Sequence, residues 1–152
     1  MIKQGKDIKE IIKELKKVIP QVHLYLMVKD PKWIEASGRI SHFAAGLLRK
    51  MAEKGIRPLL TLRHGRVFPV GLMTGARDIL LALFKQFEKE VKELKKIRVA
   101  ITHGDDLRSA KKLKKMIEKR FKTAKVVFIN IIDNIIGAPI GPDALICAWY
   151  KI

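Results

Sequence analysis

Cysteine is almost missing from this chain of 152 residues: Cys147 is the sole one, so no internal disulfide can staple the fold. It lies in the apolar run Leu145-Ile146-Cys147-Ala148-Trp149, which reads as a buried, inert thiol. The four histidines, His23, His42, His64 and His103, are far apart, and no spacing suggests a metal site. No apolar run is long enough to cross a membrane. Residues 1–17 are amphipathic and Lys-rich throughout, unlike the basic-then-apolar pattern of a signal peptide, so a cytoplasmic protein is expected.

Acidic residues are also scarce. Fifteen Asp and Glu face 32 Lys and Arg, a net charge of +17. The lysines concentrate over 3–17, 85–96 and 111–125, segments with helical character. Such stretches are either solvated faces, as in proteins from hot environments, or surfaces that track phosphates. Arginines are few, and the aromatics fall in apolar segments instead of interleaving with the basic ones. That favours solvated faces over a nucleic-acid surface, while an anionic membrane surface, nucleic acid or an acidic protein stays open as a partner.

The familiar catalytic signatures are missing as well. Gly71, Gly75 and Gly104 are isolated, so there is no phosphate-cradling fingerprint, and there is no Gly-x-Ser-x-Gly elbow. Asp105-Asp106 stands at an expected helix start, where capping explains it without acid–base chemistry. An enzyme is not expected.

What is present is a regular alternation of periods. Helical spacing covers 7–18, 32–36, 41–54 (burying Phe43, Leu47, Leu48 and Met51), a long segment from 74–78 to about 95, and 107–121. Strand patterns cover 21–28, 57–63, 66–72, 97–102, 125–131 and 144–150, with His64-Gly65 as a hairpin tip. The segment 97–131 reads as a βαβ-like unit, with His103-Gly104-Asp105 at the ligand-favoured end of its strand. The expectation is one domain over 1–152, of α/β class: a mixed sheet of about six strands packed with helices. Residues 133–136 read as a short helix or turn. Ile136-Gly137-Ala138-Pro139-Ile140-Gly141-Pro142-Asp143 then reads as a shaped loop, because two Gly and two Pro oppose a continuing helix or strand.

Three stretches carry a resemblance. Ser37-Gly38-Arg39-Ile40-Ser41 follows a short helix. Pro58-Leu59-Leu60-Thr61-Leu62-Arg63-His64-Gly65-Arg66-Val67-Phe68-Pro69-Val70 forms the hairpin. Ile136-Gly137-Ala138-Pro139-Ile140-Gly141-Pro142-Asp143-Ala144-Leu145 precedes the last strand. In this order they resemble the C-terminal domain of the DegV family of fatty-acid-binding proteins, over about residues 6–150, without that family's N-terminal domain.

The resemblance implies a carrier and not a catalyst: two α/β domains hold a long-chain fatty acid between them and present its carboxylate to a separate fatty acid kinase. It implies ligand-binding roles for Gly38, Arg39, His103, Gly141 and Pro142, no metal, and no cofactor beyond the fatty acid itself. It points to three partners: a separately encoded DegV-like N-terminal domain, the kinase, or a second copy of the chain. Departures are clear. The motif His falls on Pro139, the following Thr on Ile140 and the second Gly on Asp143. The Arg after the hairpin falls on Thr74, with Arg77 one helical turn on as the substitute the chain offers. Those losses keep alternatives open: an interaction or oligomerisation module without a ligand, and, from charge alone, a nucleic-acid-binding domain.

Overall fold

The computed structural model describes residues 5–63, 66–75, 78–94 and 96–152. Helix α1 (Ile8–Val18) leads through a short 3-10 turn into strand β1 (His23–Met27). Helices α2 (Lys32–Ala36) and α3 (His42–Glu53) follow, then the hairpin strands β2 (Arg57–Arg63) and β3 (Arg66–Met73). Next come α4 (Ile79–Val91), β4 (Ile97–His103), α5 (Leu107–Arg120), β5 (Ala124–Ile131), α6 (Asn134–Ile140) and β6 (Leu145–Lys151). The strands form one six-stranded mixed sheet in the order β3-β2-β1-β6-β4-β5, as the α/β expectation required. β4 and β5 run parallel, and the other neighbours antiparallel.

Helix starts are set by local side chains. The hydroxyl of Ser41 and the carboxylates of Asp7, Asp78, Asp106 and Asp133 accept from the first free backbone N–H groups of α3, α1, α4, α5 and α6. Each cap of this kind stabilises its helix by about 1 kcal/mol. Of the acidic pair, Asp106 is the cap, accepting from Ser109 N at 2.9 Å.

One face of the sheet is closed. Every second residue of the central strands, Ile97, Val99 and Ile101 on β4 and Leu145, Cys147 and Trp149 on β6, is buried there. Against them lie Leu80, Leu83, Phe87 and Val91 of α4 and Ala110, Leu113 and Ile117 of α5. Phe87 meets Trp149 edge-on at 5.0 Å between ring centroids, and Phe121 edge-on at 5.6 Å. Such pairs add about 0.5–1.5 kcal/mol to the burial of their area.

Three expectations need correction. Phe43 and Leu47 do not join a core: Phe43 is 81% exposed and Ala45 is the buried residue of α3. The apolar stripe of α1 is likewise uncovered, with no buried residue and Ile8 75% exposed. Helical periodicity marks which face wants covering, and among the described residues these exposed side chains are left uncovered. The Gly/Pro-rich stretch is not all loop, because α6 continues through Pro139 to Ile140. Pro139 comes one residue before the helix ends, so the missing N–H costs a single hydrogen bond, and Asp133 anchors the start. Finally, α4 is shorter than expected, running from its Asp78 cap to Val91. The hairpin tip His64-Gly65 lies outside the described residues.

The contrast is measurable by urea unfolding. Phe87→Ala, fully buried, is expected to cost about 3–5 kcal/mol. Phe43→Ala is expected to stay within about 0.5 kcal/mol. A large loss at Phe43 would mean that α3 packs in solution as it does not here.

Candidate functional site

β1, β4 and β5 point the same way, because β6 is antiparallel to both β1 and β4 and β5 is parallel to β4. Their C-terminal ends therefore meet the start of β6 along one edge, the position where ligands collect in sheets with parallel strands. Two loops are knitted together there. Gly104 N donates to Ala144 O at 2.9 Å, Asp143 N to Gly104 O at 2.5 Å, and Ile132 N to His103 O at 2.9 Å. This approach needs glycine twice. A Cβ on Gly104 would fall 2.6 Å from the carbonyl oxygen of Gly141, and one on Gly141 would fall 2.1 Å from the indole of Trp33. Gly141 also has φ +76°.

Asp143 stands where the resembled motif has its second glycine. It keeps the left-handed backbone, φ 62°, which Asp tolerates better than most residues. Its carboxylate is held by Lys29 at 2.9 Å. The turn thus survives the loss of the glycine.

The residues singled out in the sequence separate into groups. His103, Gly141 and Pro142 come together at this edge. His103 is 6% exposed and its Nδ1 has no hydrogen-bond partner among the described residues. Gly38 has a local role: with φ +71° it ends α2, its N–H donating to Glu35 O and that of Arg39 to Ile34 O, the paired bonds of a Schellman cap. Arg39 is exposed, and among the described residues its guanidinium makes no hydrogen bond or ion pair, so it braces no loop. Arg77 lies outside the described residues. Sequence reasoning missed Trp33 and Lys29; an aromatic in a five-residue helix gave no sign of its glycine partner 108 positions on.

Two hollows flank the Lys29–Asp143 pair. The larger, about 460 Å³, opens between Trp33, Arg49, Arg57 and Pro142; the smaller, about 230 Å³, between Asp78, Asp106 and Ser109. Their charges are largely spent internally. Arg49 pairs with Glu35 at 3.1 Å, Lys32 with Asp30 at 3.5 Å, and the Arg57 guanidinium donates to the Lys29 carbonyl. Partial burial works to raise the Asp106 pKa, but the Ser109 hydrogen bonds and the charges of Lys29 and His103 outweigh it and hold the carboxyl below its usual range. The hydrogen bond from His42 and the Arg49 charge likewise hold Glu35 low, against the opposing effect of burial. Burial pushes the Cys147 thiol up to about 12, so it is no nucleophile at neutral pH. Among the described residues no group of His, Cys, Asp or Glu is placed to hold a metal, and no helix is long and apolar enough to cross a membrane.

The larger feature is the sheet's other face. Register places Phe128, Ala100, Ala148 and Leu24 side by side across β5, β4, β6 and β1, with Leu62 and Val67 extending the row onto the hairpin. Phe128, Leu62 and Val67 are about half exposed. Among the described residues this face is capped near the loop edge, where Ile34 of α2 and Ile140 of α6 pack on Leu26, Leu60 and Ile146. The result is an open apolar floor beginning beside the knitted loops.

Replacing the tightest glycine tests the edge. Gly141→Ala is expected to destabilise by more than about 1 kcal/mol, from backbone strain and the clash with Trp33. Gly46→Ala, in α3 with open space around it, is expected to stabilise by about 0.5–1 kcal/mol. Thermal melts of both variants check this, and equal effects would contradict the packing.

A family model described as "Uncharacterised protein, DegV family" matches residues 1–151. A DegV domain-containing protein of Staphylococcus aureus is 24% identical over 147 residues, covering 95% of this chain and 49% of the relative. One from Deinococcus radiodurans is 28% identical over 152 residues, covering 95% and 50%. Among solved structures, a DegV family protein from Thermus thermophilus, described by its fatty acid binding, superposes with a TM-score of 0.77 at 20% identity, over 99% of this chain and 53% of the other. A DegV family protein from Eubacterium eligens loaded with heptadecanoic acid gives 0.75 at 20%, over 100% and 53%. The chain spans about half the length of the relatives it matches. With a family model matching residues 1–151, the chain belongs to the DegV family.

Proposed function

We propose that this chain is an acyl-binding module, corresponding to the C-terminal half of two-domain DegV proteins, which holds a long-chain fatty acid against its open sheet face. The observation that carries the reading is that face: an apolar row in register across all six strands, closed among the described residues by helices at one end. An acyl chain laid on it gains about 0.8 kcal/mol per methylene removed from water. An open floor buries one side of the chain, so a second layer completes the slot. In the family reading this layer is the N-terminal domain, whose hydroxyls supplement the head-group site, and a separate kinase receives the presented carboxylate. The fatty acids named for the Thermus thermophilus and Eubacterium eligens proteins support this ligand class.

Arg39 is the head-group residue of the proposal. Its exposed guanidinium is uncommitted among the described residues and can take a carboxylate in a fork. His103 and the Gly141-Pro142 turn shape the neighbouring edge. Pro139 and Ile140 bring no side-chain donor where the family has His and Thr, so head-group binding leans on Arg39 more heavily here.

Native mass spectrometry of the protein purified from cells, with lipid extraction, is the test. The expected result is a fatty acid adduct, reduced at least 10-fold by Arg39→Ala with the melting temperature unchanged. A lipid-free protein, alone and with its co-purifying partners, would overturn the reading. An adduct indifferent to Arg39→Ala would remove Arg39 from the site.

A further inference from the structure

The open face is apolar in its middle but not at the end away from the loop edge. Arg98 alternates with the buried Ile97 and Val99 on β4, and Lys125 with the buried Ala124 and Val126 on β5, so both stand on the open side and both are exposed. Register sets Arg98 between Lys125 on one neighbouring strand and Tyr150 on the other. The guanidinium donates to the Tyr150 hydroxyl at 3.2 Å, which leaves that hydroxyl's own proton for a further acceptor. Among the described residues neither Arg98 nor Lys125 joins an ion pair, and β4, β5 and β6 contain no Asp or Glu. Three donors without an acid therefore stand side by side. Two residues along the strands from Arg98 and Tyr150 are the register partners Ala100 and Ala148, whose small side chains keep the apolar floor low.

Arg39 stands at the opposite end. Its backbone N–H donates to Ile34 O at 3.2 Å, and Ile34 belongs to the cap over Leu26, Leu60 and Ile146. From Leu60 the register runs through Leu26 and Ile146 to Thr102, three strand steps or about 14 Å. Arg98 lies four residues back along β4, about 13 Å from Thr102. The diagonal from Leu60 to Arg98 passes over Leu24 and Ala148 and spans about 19 Å. An extended chain of about 16 carbons has nearly the same span, because each C–C bond of about 1.5 Å advances the chain by about 1.25 Å.

We propose that Arg98, Tyr150 and Lys125 form a second carboxylate site, and that the module takes a long-chain α,ω-dicarboxylic acid with one carboxylate on Arg39 and the other on Arg98. The proposal rests on the acyl-binding reading and narrows its ligand class. A methyl end laid against Arg98 and Lys125 takes two cations out of water with nothing to pair them. A carboxylate in the same place accepts from the guanidinium fork and from the Tyr150 hydroxyl, while Lys125 balances its charge.

Native mass spectrometry of the protein, with any partner that co-purifies, tests this after addition of palmitate and hexadecanedioate in equal amounts. The expected result is a hexadecanedioate adduct at least 10-fold more abundant than the palmitate adduct, with Arg98→Ala plus Tyr150→Phe cutting that ratio at least 10-fold. The net charge of +17 attracts any dianion, so chain length is the control. Decanedioate is too short to reach both sites and is expected to show no such advantage over decanoate. Equal retention of the two 16-carbon acids, a preference indifferent to the double variant, or the same preference at ten carbons would each overturn the proposal. Palmitate retained as well as hexadecanedioate leaves the acyl-binding reading standing and removes this one, whereas a protein that retains neither acid removes both.

Discussion

One-sided burial of the sheet is the constraint on which the rest depends. Helices α4 and α5 take up alternate residues of β4 and β6 so completely that Val99, Ile101, Cys147 and Leu145 are inaccessible to solvent. A strand's side chains alternate between its faces, so whatever buries one set presents the other. Leu24, Ala100, Ala148 and Phe128 are that other set. They are apolar, and among the described residues no helix layer lies over them. The uncovered stripes of α1 and α3 share the same character.

The loop edge follows from the same frame. With β1, β4 and β5 ending together, the turns after them must pass close to the start of β6, and Gly104 and Gly141 are the residues that permit backbone to lie on backbone and indole on backbone. Asp143 shows how such a turn changes chemistry without changing shape. It accepts a positive φ and uses its carboxylate to fix Lys29, where a glycine would contribute only its conformational freedom. Pro139 does the opposite: it sits inside the last turn of α6, preserves the path of the chain, and offers no donor.

Strand positions and most helices were legible in the sequence because burial on one face imposes a period, and the caps Asp7, Ser41, Asp78, Asp106 and Asp133 are short polar residues just where an apolar period begins. The same reasoning failed where the period exists without its partner. Phe43 and Leu47 repeat at helical spacing, so pattern alone assigned them to a core that does not cover them. It failed again at α6, where composition argued for loop but a helix of seven residues can end on Pro and Gly at little cost. Of the candidate site, Gly141 was legible as part of a shaped turn, and its positive φ agrees. Trp33 over Gly141 and the Lys29–Asp143 pair were invisible, since both are contacts between segments more than 100 residues apart and neither residue stands in a local pattern.

The central claim is that the open face, and not the helix-covered side, receives an acyl chain. Methyl-resolved NMR during titration with palmitate addresses it directly, because leucine and valine methyls report from both sides of the sheet. The account predicts shifts or broadening at Leu24, Leu62 and Val67, with Leu83 and Leu113 in the closed core unmoved. Perturbation confined to Leu83 and Leu113, or none at any methyl at saturating palmitate, would contradict it.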